Sequence, residues 1–283
     1  MSEKNFSLII ENNFTPDDAL ALQLALNMDS FTLLAVTGVS SKNSAEYAAE
    51  NSLGLIRENG LYIDVLKGED KNLDGQKIII NENKKNIFEA DDDYIDKNIL
   101  NEIYSMASLE GLLDILCFGP TTNLAKALMN DENLANKINR VFISGGTFSK
   151  GNVTKNAEFN FFTDPKSIDF ILKQNFETYI LPIDVSETVF MSEKLFNKLK
   201  NKDEKVDKIL SMFKNEKVSS LSSTLLFYMY LKPEAFIFEE LAFSVNIKEN
   251  RGSISKKTSN KKKYVANRVN QESFYKFLEE NLK

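Results

Sequence analysis

Acidic and amide side chains are concentrated in one short segment near the start of the chain, where the sequence reads ENNFTPDDA. Glu11, Asn13, Asp17 and Asp18 follow an apolar run that ends at Ile10. Carboxylate and amide oxygens gathered in this way can hold the hydroxyl groups of a sugar, and they also suit a hard cation such as calcium. The two aspartates have a simpler alternative role, because acidic residues at the start of a helix cap it and favour its positive end.

The residues that are missing narrow the chemistry further. The chain contains no histidine, which excludes every mechanism that uses imidazole as a base, an acid or a zinc ligand. Cys117 is the only cysteine and lies in the apolar run LLDILCF. We predict that it is a buried small side chain, since no histidine is present to support a nucleophilic role.

The elements that must position these side chains alternate along the chain. Short apolar runs (6–10, FTLLAVTGV, LYIDVLKG, LLDILCFGP, RVFISGG and ETYILPIDV) are separated by helical patterns, and 192–217, 219–231 and the final ESFYKFLEENLK are helical as well. Strands that alternate with helices indicate an α/β fold with a mostly parallel, Rossmann-like central sheet flanked by helices. We expect one domain over 1–283.

Ligands of open parallel sheets bind beyond the carboxyl ends of the strands, so the loops found there are the candidate site. They comprise 11–18 after the first strand, FGPTTNLA after the fourth, and SGGT with GNVTKNAEFNFFTDP after the fifth. The segment 68–93 lacks clear periodicity and is predicted to border the pocket. The basic segment RGSISKKTSNKKK, 251–263, is predicted to be a solvated hairpin tip rather than a phosphate-binding patch.

With ENNFTPDDA, GPTTNLA and GNVTKNAEFNFFTDP in this order, the chain resembles the inosine-uridine preferring nucleoside hydrolase family over nearly its whole length. Members of that family cleave the N-glycosidic bond of ribonucleosides. The resemblance implies the nucleoside hydrolase fold, calcium as a cofactor, a ribonucleoside or ribose as the small-molecule ligand, and a homo-oligomer.

The resemblance also assigns roles to individual positions. It places Asp17 against the ribose, and Asp18 and Asn13 at metal positions of the family motif DxDPGxDDA. The backbone carbonyl of Phe118 completes the metal shell in the family. Asn152, Glu158 and Asn160 match the residues that hold the ribose hydroxyls, and Ser144 occupies a substrate-pocket position that is usually methionine.

Several positions depart from the family pattern. Asn13 stands where the family has the aspartate that removes a proton from the attacking water, and a neutral amide cannot act as that base. Ser222 and Ser223 stand where the family has a His-Asp pair, and Val39 replaces an asparagine. Glu11 is the one candidate substitute base. With only Asp18 left as a strong anionic ligand, we do not expect tight calcium binding.

Two functions therefore remain open. The first is a nucleoside hydrolase of weak or lost activity, in which Glu11 or an ordered hydroxide replaces the usual base. The second is a non-catalytic protein that binds ribose or a nucleoside, which the retained Asp17, Asn152, Glu158 and Asn160 favour. A magnesium-dependent phosphotransfer enzyme built on Asp17 and Asp18 is a third class, but no glycine-rich phosphate loop accompanies them.

The overall charge bounds the partners. The formal net charge of −6 does not favour nucleic acid or an anionic membrane surface. The first ten residues, MSEKNFSLII, fit neither a signal peptide nor a membrane span, so we expect a cytoplasmic protein.

Overall fold

An eight-stranded sheet runs through the computed structural model, which describes residues 7–77, 84–95, 113–213, 220–259 and 261–282. The strand order is β3-β2-β1-β4-β5-β6-β10-β7. All neighbours pair in parallel except β7, which is antiparallel to β10, and β8 and β9 form a separate hairpin. The strands are β1 (Ser7–Asn12), β2 (Thr32–Gly38), β3 (Asp64–Lys67), β4 (Leu113–Cys117), β5 (Ile138–Ser144), β6 (Glu177–Leu181), β7 (Phe236–Leu241), β8 (Phe243–Val245), β9 (Ile254–Lys256) and β10 (Lys263–Val269).

Helices connect most of the parallel strands. The α-helices are α1 (Pro16–Leu26), α2 (Ala45–Glu58), α3 (Thr122–Asn130), α4 (Phe159–Thr163), α5 (Pro165–Ile171), α6 (Ile183–Ser186), α7 (Glu193–Leu199), α8 (Glu204–Phe213), α9 (Ser222–Leu231) and α10 (Gln271–Asn281). Short 3-10 turns cover Glu132–Asn136 and Pro233–Ala235. None of the helices in the described ranges is long and apolar enough to cross a membrane.

The sheet is buried on both faces. In β1, Leu8 and Ile10 pack into one apolar cluster and Ile9 packs into the other, as the alternation of side chains along a strand requires. The predicted α/β architecture with a mostly parallel, helix-flanked sheet is therefore confirmed.

The strand order reverses at β1, because β2 lies on one side of β1 and β4 on the other. At such a reversal the loops after the two inner strands diverge and leave a crevice between them. The loops that follow β1, β4 and β5 therefore open on the same edge of the sheet, which is where the candidate residues were expected.

The basic segment 251–263 was predicted to be a solvated hairpin tip. For the first half of the segment this prediction is wrong. It contains β9, and the side chain of Arg251 is largely buried. The Arg251 guanidinium donates to the carbonyls of Phe162 and Thr163 and pairs with Asp74 at 2.7 Å. A rigid fork of donors can satisfy several acceptors at once, so this arginine ties the hairpin to α4.

The helical prediction over 192–217 corresponds to two helices, α7 and α8, separated by a turn. The predicted helix over 219–231 begins at Ser222. Three residues that bounded predicted elements lie outside the described residues. They are Phe6 at the start of the first strand, Lys217 at the end of the first helical segment and Ser219 at the start of the second.

Candidate functional site

A cavity of about 270 Å³ lies at the carboxyl ends of β1, β4 and β5. It is the place where most of the predicted residues meet. Of the predicted site residues, those lining it are Asn13, Asp17, Asp18, Phe118, Ser144, Asn152, Glu158 and Asn160, together with Ser222 and Ser223.

Asp18 is bound by donors of the protein itself. It is the third residue of α1, and its Oδ2 accepts the backbone N–H of Thr15 while the Thr15 hydroxyl accepts the N–H of Asp18, which forms a capping box. The N–H of Asn13 also donates to Oδ2, at 3.1 Å. Oδ1 accepts the hydroxyl of Ser223 at 2.6 Å. Both carboxylate oxygens are thus engaged inside the protein.

Asp17 caps a second helix from a distance. Its Oδ2 accepts the backbone N–H of Ser223 at 2.6 Å, and its Oδ1 accepts the N–H and the hydroxyl of Thr224 at 3.1 and 2.5 Å. These groups belong to the first turn of α9, whose N–H groups have no partner within the helix. Burial raises the pKa of Asp17 to about 7, against the lowering effect of the Thr224 hydroxyl.

Asn13 is held by its backbone and not by its side chain. The side-chain amide of the buried Asn43 donates to the carbonyls of Asn13 and Phe14, which fixes the loop after β1. Phe14 has φ of 51°, so the chain turns sharply there. The Oδ1 of Asn13 is buried and has no hydrogen-bond partner among the described residues. It is the free acceptor of the cavity floor.

Glu158 and Asn152 organise the start of α4. Glu158 is its N-cap, and its carboxylate accepts the N–H groups of Gly146, Asn160 and Phe161 at 2.9, 2.9 and 3.1 Å. Burial raises the pKa of Glu158, and these N–H groups lower it. The Asn152 side chain accepts the N–H of Phe159 at 3.0 Å. Asn152 and Glu158, two of the residues assigned to ribose by the resemblance, therefore lie on one wall.

Asn160 joins two strand ends. Its side-chain NH₂ donates to the carbonyl of Phe118 at 3.0 Å and to the carbonyl of Ser144 at 2.9 Å. Phe118 follows β4 and Ser144 ends β5, so one amide closes the gap between neighbouring strands. The Phe118 carbonyl, which the resemblance assigns to the metal, already accepts a hydrogen bond.

The residues present do not fit calcium. Calcium takes about 6 to 8 oxygen ligands, several of them from carboxylates. Here Asp18 is the one carboxylate among the metal positions, and its oxygens and the Phe118 carbonyl already accept internal hydrogen bonds, whereas the Asn13 Oδ1 accepts none. Within the described ranges, no three acidic, histidine or cysteine residues are grouped as metal ligands would be.

Glu11 is not brought to the cavity. Its side chain is fully buried in the sheet, and Cys117 on the neighbouring strand lies with its Sγ 3.6 Å from the Glu11 Oε2. Cys117 is buried as expected, and burial followed by the charge of Glu11 raises the pKa of the thiol. The structure therefore separates the candidate substitute base from the other predicted residues.

The segment 68–93 was expected to border the pocket, and for its described part this is wrong. None of the described residues in 68–77 and 84–93 lines the cavity. Asn72 and Leu73 instead bond to Thr163 and Asp164, behind the wall that α4 forms. The remaining residues of that segment, 78–83, lie outside the described ranges.

Sequence reasoning missed several residues that line the cavity. Lys42 enters from the loop after β2, and Phe159, Ile183, Glu187 and Phe213 form much of the rim. The position of Lys42 could have been predicted, because its loop follows a parallel strand at the same edge of the sheet. Phe159 lies in a segment already predicted to be at the site, whereas Ile183, Glu187 and Phe213 belong to segments that no local pattern places there.

Comparison with known proteins gives a consistent picture. The family model for inosine-uridine preferring nucleoside hydrolases matches residues 8–276. Uridine nucleosidase 1 of Arabidopsis thaliana is 28% identical over 227 residues, which cover 74% of this chain and 65% of that protein. The pyrimidine-specific ribonucleoside hydrolase RihA of Shewanella woodyi is 29% identical over 180 residues, or 60% and 57% of the two chains. The matched region thus spans less than two thirds of these relatives.

Solved structures share the fold. A purine-preferring ribonucleoside hydrolase from Gardnerella vaginalis superposes with a TM-score of 0.84 at 19% identity, over 98% of both chains. An inosine-uridine preferring nucleoside hydrolase from Bacillus anthracis gives a TM-score of 0.84 at 20% identity, over 98% of this chain and 99% of that one.

Proposed function

The chain belongs to the inosine-uridine preferring nucleoside hydrolase family, and from that premise we propose that it binds a ribosyl compound without hydrolysing it by the calcium-dependent route. One observation carries this proposal. Both oxygens of Asp18, the strongest anionic ligand left to the site, accept hydrogen bonds from Asn13, Thr15 and Ser223.

The groups needed for water attack are missing or occupied. Hydrolysis of an N-glycosidic bond requires a base for the water and a proton for the leaving group. Asn13 offers an amide, and the carboxylates of Asp17 and Glu158 serve as helix caps. Ser222, at the position of the family histidine, bonds to the hydroxyls of Ser186 and Ser220 and supplies no acid.

The groups needed for binding are retained. The Asn13 Oδ1 is free to accept a hydroxyl hydrogen, and each carboxylate oxygen has two lone pairs, so Glu158 keeps acceptor capacity beyond its helix-capping bonds. Phe159, Ile183 and Phe213 supply an apolar rim against which a base or other flat group would pack. The cavity suits a ligand of about the size of a ribose with a small substituent.

The proposal is tested by assaying turnover and binding side by side. The protein is incubated with inosine, uridine and p-nitrophenyl riboside, with and without calcium, and release of base or reducing sugar is followed. Calorimetry with the same compounds measures binding. We expect binding heat without release of base above the uncatalysed rate. Calcium-stimulated turnover would overturn the proposal, and so would the absence of binding for every ribosyl compound.

Two further properties remain predictions that rest on the sequence. The homo-oligomer follows from the family resemblance, and light scattering coupled to gel filtration would show it as a mass of at least two chains. The cytoplasmic location is likewise a prediction.

A further inference from the structure

Lys42 is the one cationic side chain among the described residues that line the cavity. Its ammonium group forms no ion pair and no hydrogen bond with any described residue. Four acidic residues, Asp17, Asp18, Glu158 and Glu187, also line this cavity, and a lysine at its mouth would ordinarily pair with one of them. Its neighbour Glu158 accepts three backbone N–H groups instead. The charge of Lys42 acts on Glu158 only at longer range, where it lowers the pKa of that carboxyl. The Lys42 ammonium is therefore left without a direct partner at the cavity.

The loop that carries Lys42 is held in place. The adjacent Asn43 is fully buried and donates its side-chain amide to the loop after β1. The backbone N–H of Ser41 donates to the Asn43 carbonyl, and the Ser40 hydroxyl accepts the N–H of Ala45 at the start of α2. These bonds fix the backbone on both sides of Lys42, whose side chain lines the cavity.

The ammonium lies at the wall that holds the ribose by resemblance. Its Nζ is 5.8 Å from the ring centre of Phe159, a residue that lies between Glu158 and Asn160 in the sequence. A cation over an aromatic ring at this distance is attracted to it, which favours the position without neutralising the charge. A substituent on a ribose held by this wall would meet the ammonium as it points toward the opening.

The geometry points to a phosphorylated ribosyl compound as the ligand, a ribose phosphate or a nucleoside monophosphate, with Lys42 as the counter-charge of its phosphate. This inference rests on the proposed function, because it assumes a ribose at the wall formed by Asn152, Glu158 and Asn160. Lysine binds phosphate as a compact point charge with three donors. Three of the four acids of the lining oppose such a ligand less than their charge suggests, because Asp17, Asp18 and Glu158 each face several internal donors. The fourth, Glu187, is exposed at the rim and repels the phosphate in full, so Lys42 must outweigh it.

Calorimetry on the full chain tests this inference with matched ligand pairs. Ribose 5-phosphate, inosine 5′-monophosphate and uridine 5′-monophosphate are compared with ribose, inosine and uridine, and inorganic phosphate is titrated alone. We expect each phosphorylated member to bind at least about tenfold more tightly than its neutral counterpart, as a charge-assisted hydrogen bond provides. The preference should shrink as salt is added.

Variants locate the effect. Lys42→Met should abolish the preference for the phosphorylated member over the neutral one, whereas Lys42→Arg should retain it. Lys155→Met is the matched control, because Lys155 is exposed on the loop before α4 and does not line the cavity.

The outcomes separate the two proposals. Equal binding of phosphorylated and neutral compounds, or a preference that survives in Lys42→Met, overturns the inference and leaves the proposed function standing. The inference is also overturned if inorganic phosphate binds as tightly as ribose 5-phosphate, since the ribose then contributes nothing. Failure of every ribosyl compound to bind removes both.

Discussion

At the scale of single residues, the same side chain serves different chemistry according to what faces it. Asp17 and Asp18 match the family motif, yet here they accept hydrogen bonds at the starts of α9 and α1. The sequence predicted that both would lie at the site and named helix capping as the alternative role. It could not show that Asp17 caps α9, because the partners are more than 200 positions apart along the chain.

Replacement of Ser223 tests how much its hydrogen bond to Asp18 contributes to the stability of the protein. Ser223→Ala removes the hydroxyl that donates to the buried Asp18 at 2.6 Å, and we expect a loss of about 2 kcal/mol in the free energy of unfolding. Ser222→Ala is the control, since Ser222 is half-buried and bonds only to other hydroxyls, and it should cost less than about 1 kcal/mol. Urea unfolding of both variants measures the difference. Equal losses of unfolding free energy would show that the hydrogen bond to Asp18 stabilises the protein no more than the bonds of Ser222 do.

The different placement of Glu11 and Asn13 could not be predicted from the sequence. Glu11 and Asn13 are two positions apart, and strand alternation alone would put them on the same face of β1. Asn13 instead lies past the end of the strand and lines the cavity. Glu11 stays within the strand beside Cys117. Strand alternation predicts a face of the sheet but not how far along it a side chain meets solvent.

At the scale of elements, the turn after β5 depends on its two glycines. Gly145 and Gly146 have φ of 148° and 79°, and the ring of Phe161 packs directly against them. This close approach lets the N–H of Gly146 reach the Glu158 carboxylate. The sequence marked SGGT as a site loop, but the contact with α4 that explains the glycines is visible only in the structure.

Gly146→Ala should therefore lower the free energy of unfolding by more than backbone strain alone would. A Cβ there would lie 2.8 Å from the Phe161 ring and 3.1 Å from Ile254. Gly75 has a nearly equal φ of 76° and nothing within 4 Å of a Cβ, so Gly75→Ala reports the strain by itself. We expect about 1 kcal/mol for Gly75→Ala and at least about 1 kcal/mol more for Gly146→Ala in chemical unfolding. Equal costs would mean that Phe161 shifts freely.

A second element-scale prediction concerns pH and the edge of β10. Burial lowers the pKa of Lys263 to about 8, with repulsion from Lys261 as a further cause. The charged form is thus penalised in the folded state below about pH 8, and the penalty fades as pH rises from there toward the unfolded pKa of about 10.4. Wild type should gain stability relative to Lys263→Met across that window.

Unfolding of wild type, Lys263→Met and Lys262→Met as a function of pH checks this. Lys262 is exposed immediately before β10, so its variant should follow the wild-type curve. A constant difference between wild type and Lys263→Met from about pH 8 to pH 10 would contradict the assignment.

At the scale of the whole molecule, the fold follows the family, whereas several site positions depart from its motif. The fold agrees with solved nucleoside hydrolase structures, and the family model matches residues 8–276. Apolar runs of five to seven residues indicate buried strands, which is why the sheet was predictable from the sequence. The hydrogen bond from Ser223 to Asp18 depends on long-range packing, so the sequence alone did not reveal it.

The central claim is that the carboxylates of this site face protein donors and leave no place for calcium. Calorimetric titration of calcium into wild type and into an Asn13→Asp, Ser223→Asp double variant tests it most directly, because the variant adds the two carboxylates that the family pattern has at these positions. We predict no saturable heat for wild type and measurable binding by the variant. Saturable calcium binding by the wild-type protein with a dissociation constant of about 10 μM or lower would contradict the account.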